Sequence, residues 1–126
     1  YSVNFFNSAT VKAEEGIWQK FEENKISEFV KNGKTVFVDV TADWCLTCKF
    51  NEVNVINTKE IQELLQKENV VAMRADYTNR SSDIQQYLSK NGRQGIPFNA
   101  VYSPEYPSGK LLPELLRKQD LQENIK

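Results

Sequence analysis

The stretch VFVDVTADWCLTCKFNE, residues 36–52, holds both cysteines of the chain, Cys45 and Cys48, with two residues between them. The run from Thr35 to Thr41 is β-branched and aromatic, and it is apolar at both parities apart from Asp39. Such a run predicts a central strand covered on both faces. The residues that follow predict a helix. The C-x-x-C therefore sits where a strand hands over to a helix, and this handover decides the fold.

The spacing narrows the chemistry. Two cysteines at i and i+3 at the opening of a helix place their sulfurs within bonding reach. The ring they close is very small, and it constrains the unfolded chain little, because that effect grows with loop length. A structural staple is thus a poor use of this pair, and a reversible two-electron switch a good one. The plainer alternative is two small apolar side chains that happen to lie close. Free N–H groups and the helix dipole stabilise a thiolate at a helix start. Cys45, at the tip, is expected to be the exposed nucleophile, and Cys48, one turn in, the buried resolving thiol. Exchange then runs through a mixed disulfide on Cys45 that Cys48 resolves.

Composition removes other chemistries. The chain has 126 residues, 40% hydrophobic and 26% charged, with a net charge of −1. One compact domain with an ordinary core fits these values. No strongly basic face is available for nucleic acid. Histidine is absent, so no Ser-His-Asp or Cys-His pair and no imidazole-bound zinc can be built. Two cysteines alone do not complete a metal site, and no metal or cofactor is expected beyond the Cys45/Cys48 pair. No apolar run approaches the roughly 20 residues of a membrane span, so no membrane contact is expected within this segment. The chain does not begin with Met, which fits a mature form or an excised part of something longer.

Two acids bracket Cys48. Asp39 interrupts a central strand, where a carboxylate is costly unless paired or protonated. Its bland reading is a strand-end residue reaching water. Glu52 lies four residues past Cys48 on the same helix face, and its bland reading is a solvated charge. A part-buried acid here takes the Cys48 proton when Cys48 must attack. Burial raises the pKa of such an acid. Its negative charge in turn makes Cys45 less acidic than the helix start alone would. Trp44 covers the thiols, joins a docking surface, or is a plain core residue.

Outward from this segment, residues 1–20 read as an N-terminal arm or linker remnant and residues 21–126 as the domain. Ile26, Phe29 and Val30 share a helical spacing that Asn32-Gly33 stops. Ile17, Trp18 and Phe21 belong either to that helix or to a short extended lead-in. Residues 58–67 predict a helix capped by Thr58. Residues 70–78 predict a strand, 81–92 a helix with a serine cap and a Gly92 stop, and 98–103 a strand. KLLPELL, residues 110–116, reads as a further strand, with Pro113 at an edge or bulge. KQDLQENIK, residues 118–126, closes with a short helix. Alternation followed by a hairpin predicts an α/β fold: a mixed central sheet of about four or five strands with helices on both faces.

FVDVTADWCLTCK resembles the thioredoxin active-site segment, with Asp39 matching that family's buried aspartate and GIP, residues 95–97, resembling its cis-proline loop. A closer resemblance is to the C-terminal thioredoxin-like domains of DsbD-type thiol:disulfide interchange proteins. VFVDVTADWCLTCKFNE, ADYTN, GRQGIPF and LLPELL follow that pattern in order. Sequence statistics alone would make the Ile96–Pro97 bond trans; the resemblance implies cis. It also implies that Pro97 packs beside the disulfide and that the Ile96 backbone pairs with a partner strand. Glu52 then joins Asp39 as an acid pair beneath the site. Phe98 departs from the threonine common after the cis-proline, at a position where partners touch.

The function so implied is a protein-disulfide reductase, a periplasmic link in an electron relay; the chain itself is expected to be a monomer. Its partners are protein disulfides and dithiols: a membrane domain that supplies electrons and an N-terminal immunoglobulin-like domain that receives them. That domain in turn reduces isomerases and cytochrome c maturation factors. A free-standing thioredoxin-like reductase or oxidase is the alternative within the same chemistry. A non-catalytic binding module on the same scaffold is the alternative outside it.

Overall fold

The computed structural model describes residues 17–93 and 95–125. Five strands form one sheet: β1 (Trp18–Lys20), β2 (Thr35–Thr41), β3 (Val70–Asp76), β4 (Phe98–Tyr102) and β5 (Lys110–Leu111), in the order β1-β3-β2-β4-β5. β1 and β2 run parallel to β3, whereas β4 is antiparallel to both β2 and β5. The helices are α1 (Glu23–Lys31), α2 (Leu46–Asn51), α3 (Lys59–Leu65), α4 (Ser82–Lys90) and α5 (Lys118–Asn124). A π-helical stretch, Glu52–Ile56, continues α2. It is closed by the Asn57 amide donating to the Glu52 carbonyl at 2.7 Å.

β2 sits between β3 and β4, and all seven of its residues are buried. Successive side chains on a strand point to opposite faces, and β2 uses both. Val36, Val38 and Val40 pack with Ile26 of α1 and with Tyr87 and Leu88 of α4. Phe37 packs on the other side with Ile61 and Leu65 of α3 and Leu121 of α5. Two apolar layers on one sheet explain why the run is apolar at both parities. They also require helices on both faces, as expected.

Several expectations shift. Trp18–Lys20 is a strand hydrogen-bonded to β3, so the sheet begins inside the segment read as an arm. Trp18 packs on Phe37, with ring centroids 6.1 Å apart, which ties this short edge strand to the core. Residues 1–16 lie outside the described residues. The strand expected over residues 110–116 shrinks to Lys110–Leu111. Pro113 has no N–H to extend the ladder, and Leu112 and Leu116 turn into the core instead. Thr58 and Ser81 stand at helix starts but neither side chain caps its helix. Thr58 Oγ1 donates back to the Val55 carbonyl at 2.7 Å. Gly33 and Gly92 do stop α1 and α4, at φ of 82° and 81°, where a Cβ is disfavoured.

Candidate active site

β2 delivers the chain to Asp43 and Trp44, and Cys45 then becomes the N-cap of α2. Cys45 and Cys48 are joined in a disulfide. The Cys45 sulfur also accepts a hydrogen bond from the Cys48 amide at 3.1 Å. That N–H is one of the donors a helix start leaves free. A donor at a helix start is the kind of group that stabilises a thiolate. Cys45 is less open than expected: it is 7% exposed, against 3% for Cys48. The closed ring holds its sulfur on the first turn of α2, and the residue packs in one cluster with Ala42 and Tyr77.

Asp39 does not reach water at a strand end. It lies within β2 and is buried. Its two strand partners in register are Arg74 and Asn99, one on each side. Both contact the carboxylate. Asn99 Nδ2 donates to Oδ1 at 2.8 Å, and Arg74 Nε donates to Oδ2 at 3.1 Å. Arg74 Nη2 lies 3.0 Å from the same oxygen, at an angle unsuited to a hydrogen bond. The guanidinium stacks on the Trp18 ring, 4.0 Å from its centroid. Burial pushes the Asp39 pKa above the usual carboxylate value; Arg74 and Asn99 oppose this, and the nearby Glu52 adds to it.

Glu52 stands at the junction of α2 and the π-helical stretch, half-buried. Its Oε2 accepts from Thr41 Oγ1 at 2.7 Å, and Lys49 Nζ is 3.7 Å from Oε1. It is therefore a held carboxylate, tied to the last residue of β2. Glu52 is close enough to Asp39 for its charge to favour the protonated form of that acid.

Trp44 is 44% exposed, so it is not a core residue. Its indole Nε1 donates to the Thr78 carbonyl at 3.0 Å, and the Arg80 guanidinium lies 4.2 Å from its ring centroid. The Asp43 amide donates to Thr78 Oγ1 at 3.0 Å. Thr78 is fixed in turn by Asp76, which accepts from its amide and its hydroxyl, and these two bonds hold the Asp76 carboxyl below its usual pKa. The loop after β3 thus pins the approach to Cys45.

The Ile96–Pro97 bond is cis. Ile96 packs against the cluster that contains both cysteines. Pro97 is buried, and its carbonyl accepts from Arg93 Nη1 at 3.4 Å. Arg93 Nη2 also donates to the Leu112 carbonyl at 3.2 Å, so one side chain braces this loop against the segment after β5. Phe98 corrects an expectation. It is wholly buried and meets the Tyr87 ring edge-on at 5.3 Å, so its side chain faces the core and not a partner. Being the first residue of β4 and paired with Val40, it points inward by strand alternation.

Sequence reasoning missed Arg74, Asn99, Thr78 and Arg93. Arg74 carried a signal: it interrupts the apolar run of β3 as Asp39 interrupts that of β2. The other three carried none that local patterning reads.

The model of the family described as thioredoxin-like matches residues 17–104. The chain belongs to the thioredoxin-like family. Among its relatives in this family, the thiol:disulfide interchange protein DsbD of Photorhabdus laumondii is 29% identical over 97 residues, covering 77% of this chain and 16% of that protein. DsbD of Cronobacter sakazakii is 32% identical over 82 residues, covering 63% of this chain and 14% of that protein. The chain thus spans about one-sixth of the length of these relatives. The fold is that of the oxidised C-terminal domain of Neisseria meningitidis DsbD, with a TM-score of 0.65 at 21% identity, covering 84% of this chain and 99% of that one. A thioredoxin from Thermus thermophilus superposes with a TM-score of 0.64 at 14% identity, covering 86% and 82%. This thioredoxin-like domain carries a Cys45–Cys48 disulfide at a helix start, the arrangement a thiol–disulfide oxidoreductase uses.

Proposed function

We propose that this chain is a protein-disulfide reductase domain, working in the periplasm as the C-terminal domain of a DsbD-type membrane protein. One observation carries the chemistry: the Cys45 sulfur caps α2 and accepts the Cys48 amide, with a buried acid on the adjoining strand. Likeness to the DsbD relatives supports the setting.

The exchange starts from the dithiol. Cys45 thiolate attacks one sulfur of the partner cystine. The other partner sulfur leaves as a thiolate and takes up a proton. Cys48 then loses its proton to the carboxylate pair, Asp39 or Glu52, and attacks the Cys45 sulfur. The partner's second thiolate departs and is protonated. Two electrons have passed to the partner, and the Cys45–Cys48 disulfide is what remains. A membrane domain of the same protein reloads the dithiol, and an N-terminal immunoglobulin-like domain receives the electrons. Trp44, next to Cys45 in sequence, and the Ile96–Pro97 loop, whose Ile96 packs on the cluster that contains both cysteines, are the surfaces this reading offers to a partner.

The test is a trap. Cys48→Ala is expected to accumulate a mixed disulfide through Cys45 with the N-terminal domain of a DsbD relative. Equilibration of the intact pair with glutathione is expected to give a potential well below that of DsbA-type oxidants, which lie near −120 mV. Absence of a Cys45 adduct removes the relay, and an oxidising potential reverses the direction of electron flow.

A further inference from the structure

The side of α2 and of its π-helical continuation that is turned to solvent carries three large apolar residues. Leu46 is 85% exposed, Phe50 55% and Val53 70%. Their spacing of four and three residues places them on one side of the helix. The opposite side is buried through Cys48, Asn51, Val55 and Ile56. The seven helical steps from Leu46 to Val53 make this ledge about 10 Å long. Scattered surface hydrophobics are ordinary, but three in a row beside a reactive centre mark an interaction surface.

Its position says what covers it. The ledge starts one residue from Cys45. Because Cys45 is only 7% exposed, a partner's sulfur must come down to the protein surface to meet it. The polypeptide flanking that sulfur is then laid over the adjoining helix. Trp44, 44% exposed and held in place by Thr78 and Arg80, continues the apolar surface past the disulfide.

We infer that Leu46, Phe50 and Val53 form a docking ledge for the disulfide-bearing protein partner, which presents an apolar surface next to its cystine. This rests on the reductase reading above and adds the residues that select protein over small-molecule disulfides. Contact is brief, so the interface belongs to the small, transient class.

The test compares two substrates. Phe50→Ser/Val53→Ser leaves the C-x-x-C residues untouched. Reduced wild type and variant are mixed with the oxidised N-terminal domain of a DsbD relative, with insulin, and with 2-hydroxyethyl disulfide. The small disulfide reports the chemistry and the folding of the variant. The ratio of protein rate to small-disulfide rate is expected to fall tenfold or more in the variant. An unchanged ratio overturns the ledge while leaving the reductase reading intact. A wild type that reduces hydroxyethyl disulfide but neither protein sinks both. An unchanged ratio together with lost self-association assigns the ledge to a second copy. An unchanged ratio with lost binding to phosphatidylethanolamine–phosphatidylglycerol vesicles assigns it to a lipid surface.

Discussion

Asp39 and Arg74 face each other in register on β2 and β3, and the arginine Nε donates to the aspartate Oδ2 at 3.1 Å. A buried acid beside the active-site helix therefore has a resident counter-ion. Arg74 favours the ionised form, and burial favours the neutral one. Arg74→Met, which keeps much of the packing on Trp18, is expected to move the Asp39 pKa further up. Carboxyl carbon shifts followed by NMR titration measure this directly. An unmoved titration would mean that the ion pair has no electrostatic effect on the acid. Loss of the guanidinium also leaves one oxygen of Asp39 without its donor, at a cost of about 1–3 kcal/mol when that carboxyl is charged.

Burial of Asp39 makes stability depend on pH in a definite sense. Its folded pKa lies above the reference value of 3.8, so between the two values the folded state holds more protons than the unfolded one. The contribution of Asp39 is then most favourable below pH 3.8 and declines as pH rises through the folded pKa. Asp39→Asn does not titrate. Urea unfolding of both proteins at a series of pH values cancels the other groups. The wild type is expected to lose stability relative to Asp39→Asn as pH rises, by at most about 1.4 kcal/mol per unit, and then to level off. A difference that grows in favour of the wild type would mean that Arg74 outweighs burial.

What the sequence revealed of this site follows the range of each interaction. Thr35–Thr41 was legible because a strand packed on both faces writes its environment into seven consecutive residues. The C-x-x-C was legible because spacing alone fixes which sulfurs meet. Trp18–Lys20 was not, because three residues are too few for a period and their support is Phe37 and β3, remote in sequence. Pro113 pointed to the end of β5, yet its apolar neighbours suggested a longer strand than exists. The Thr78 clamp on Asp43 and Trp44 joins residues about 35 apart, and no local pattern encodes it. Phe98 shows the limit of carrying a role over by position: its place after Pro97 suggested contact with a partner, and strand alternation turned its ring inward.

Asn51 is a buried polar residue that fixes the back of the active-site helix. Its Nδ2 donates to the Glu114 carbonyl at 2.7 Å, and its Oδ1 accepts from the Leu116 amide at 3.1 Å. α2 is thereby latched to the segment between β5 and α5. Asn51→Ala leaves both backbone groups unpaired, at a cost of about 1–3 kcal/mol for each that water does not reach. A lower urea midpoint at unchanged slope is expected, with faster hydrogen exchange at the Leu116 amide. Protection at Leu116 equal to that of the wild type would show that the latch is replaced by other contacts.

Glu52 provides the sharpest division between structural and chemical roles. Thr41 Oγ1 donates to it at 2.7 Å, so the carboxylate is aimed and not free to swing into solvent. On the mechanism proposed above, the two exchange steps differ in their need for it. Attack by Cys45 uses a thiolate stabilised at the helix start, whereas attack by Cys48 needs a base. Glu52→Gln is therefore expected to leave the first step little changed and to slow the second by about 10²-fold, the lower end of what a general base contributes. A mixed disulfide of Cys45 with thionitrobenzoate separates them, because coloured thiolate appears only when Cys48 attacks. The first step is read in Cys48→Ala. Thr41→Val retains the acid but not its aim, so it is expected to slow the same step by less. If Glu52→Gln releases thionitrobenzoate at the wild-type rate across the pH range, Asp39 is the sole proton acceptor. The Thr41–Glu52 bond would then be a clasp between β2 and α2 and nothing more.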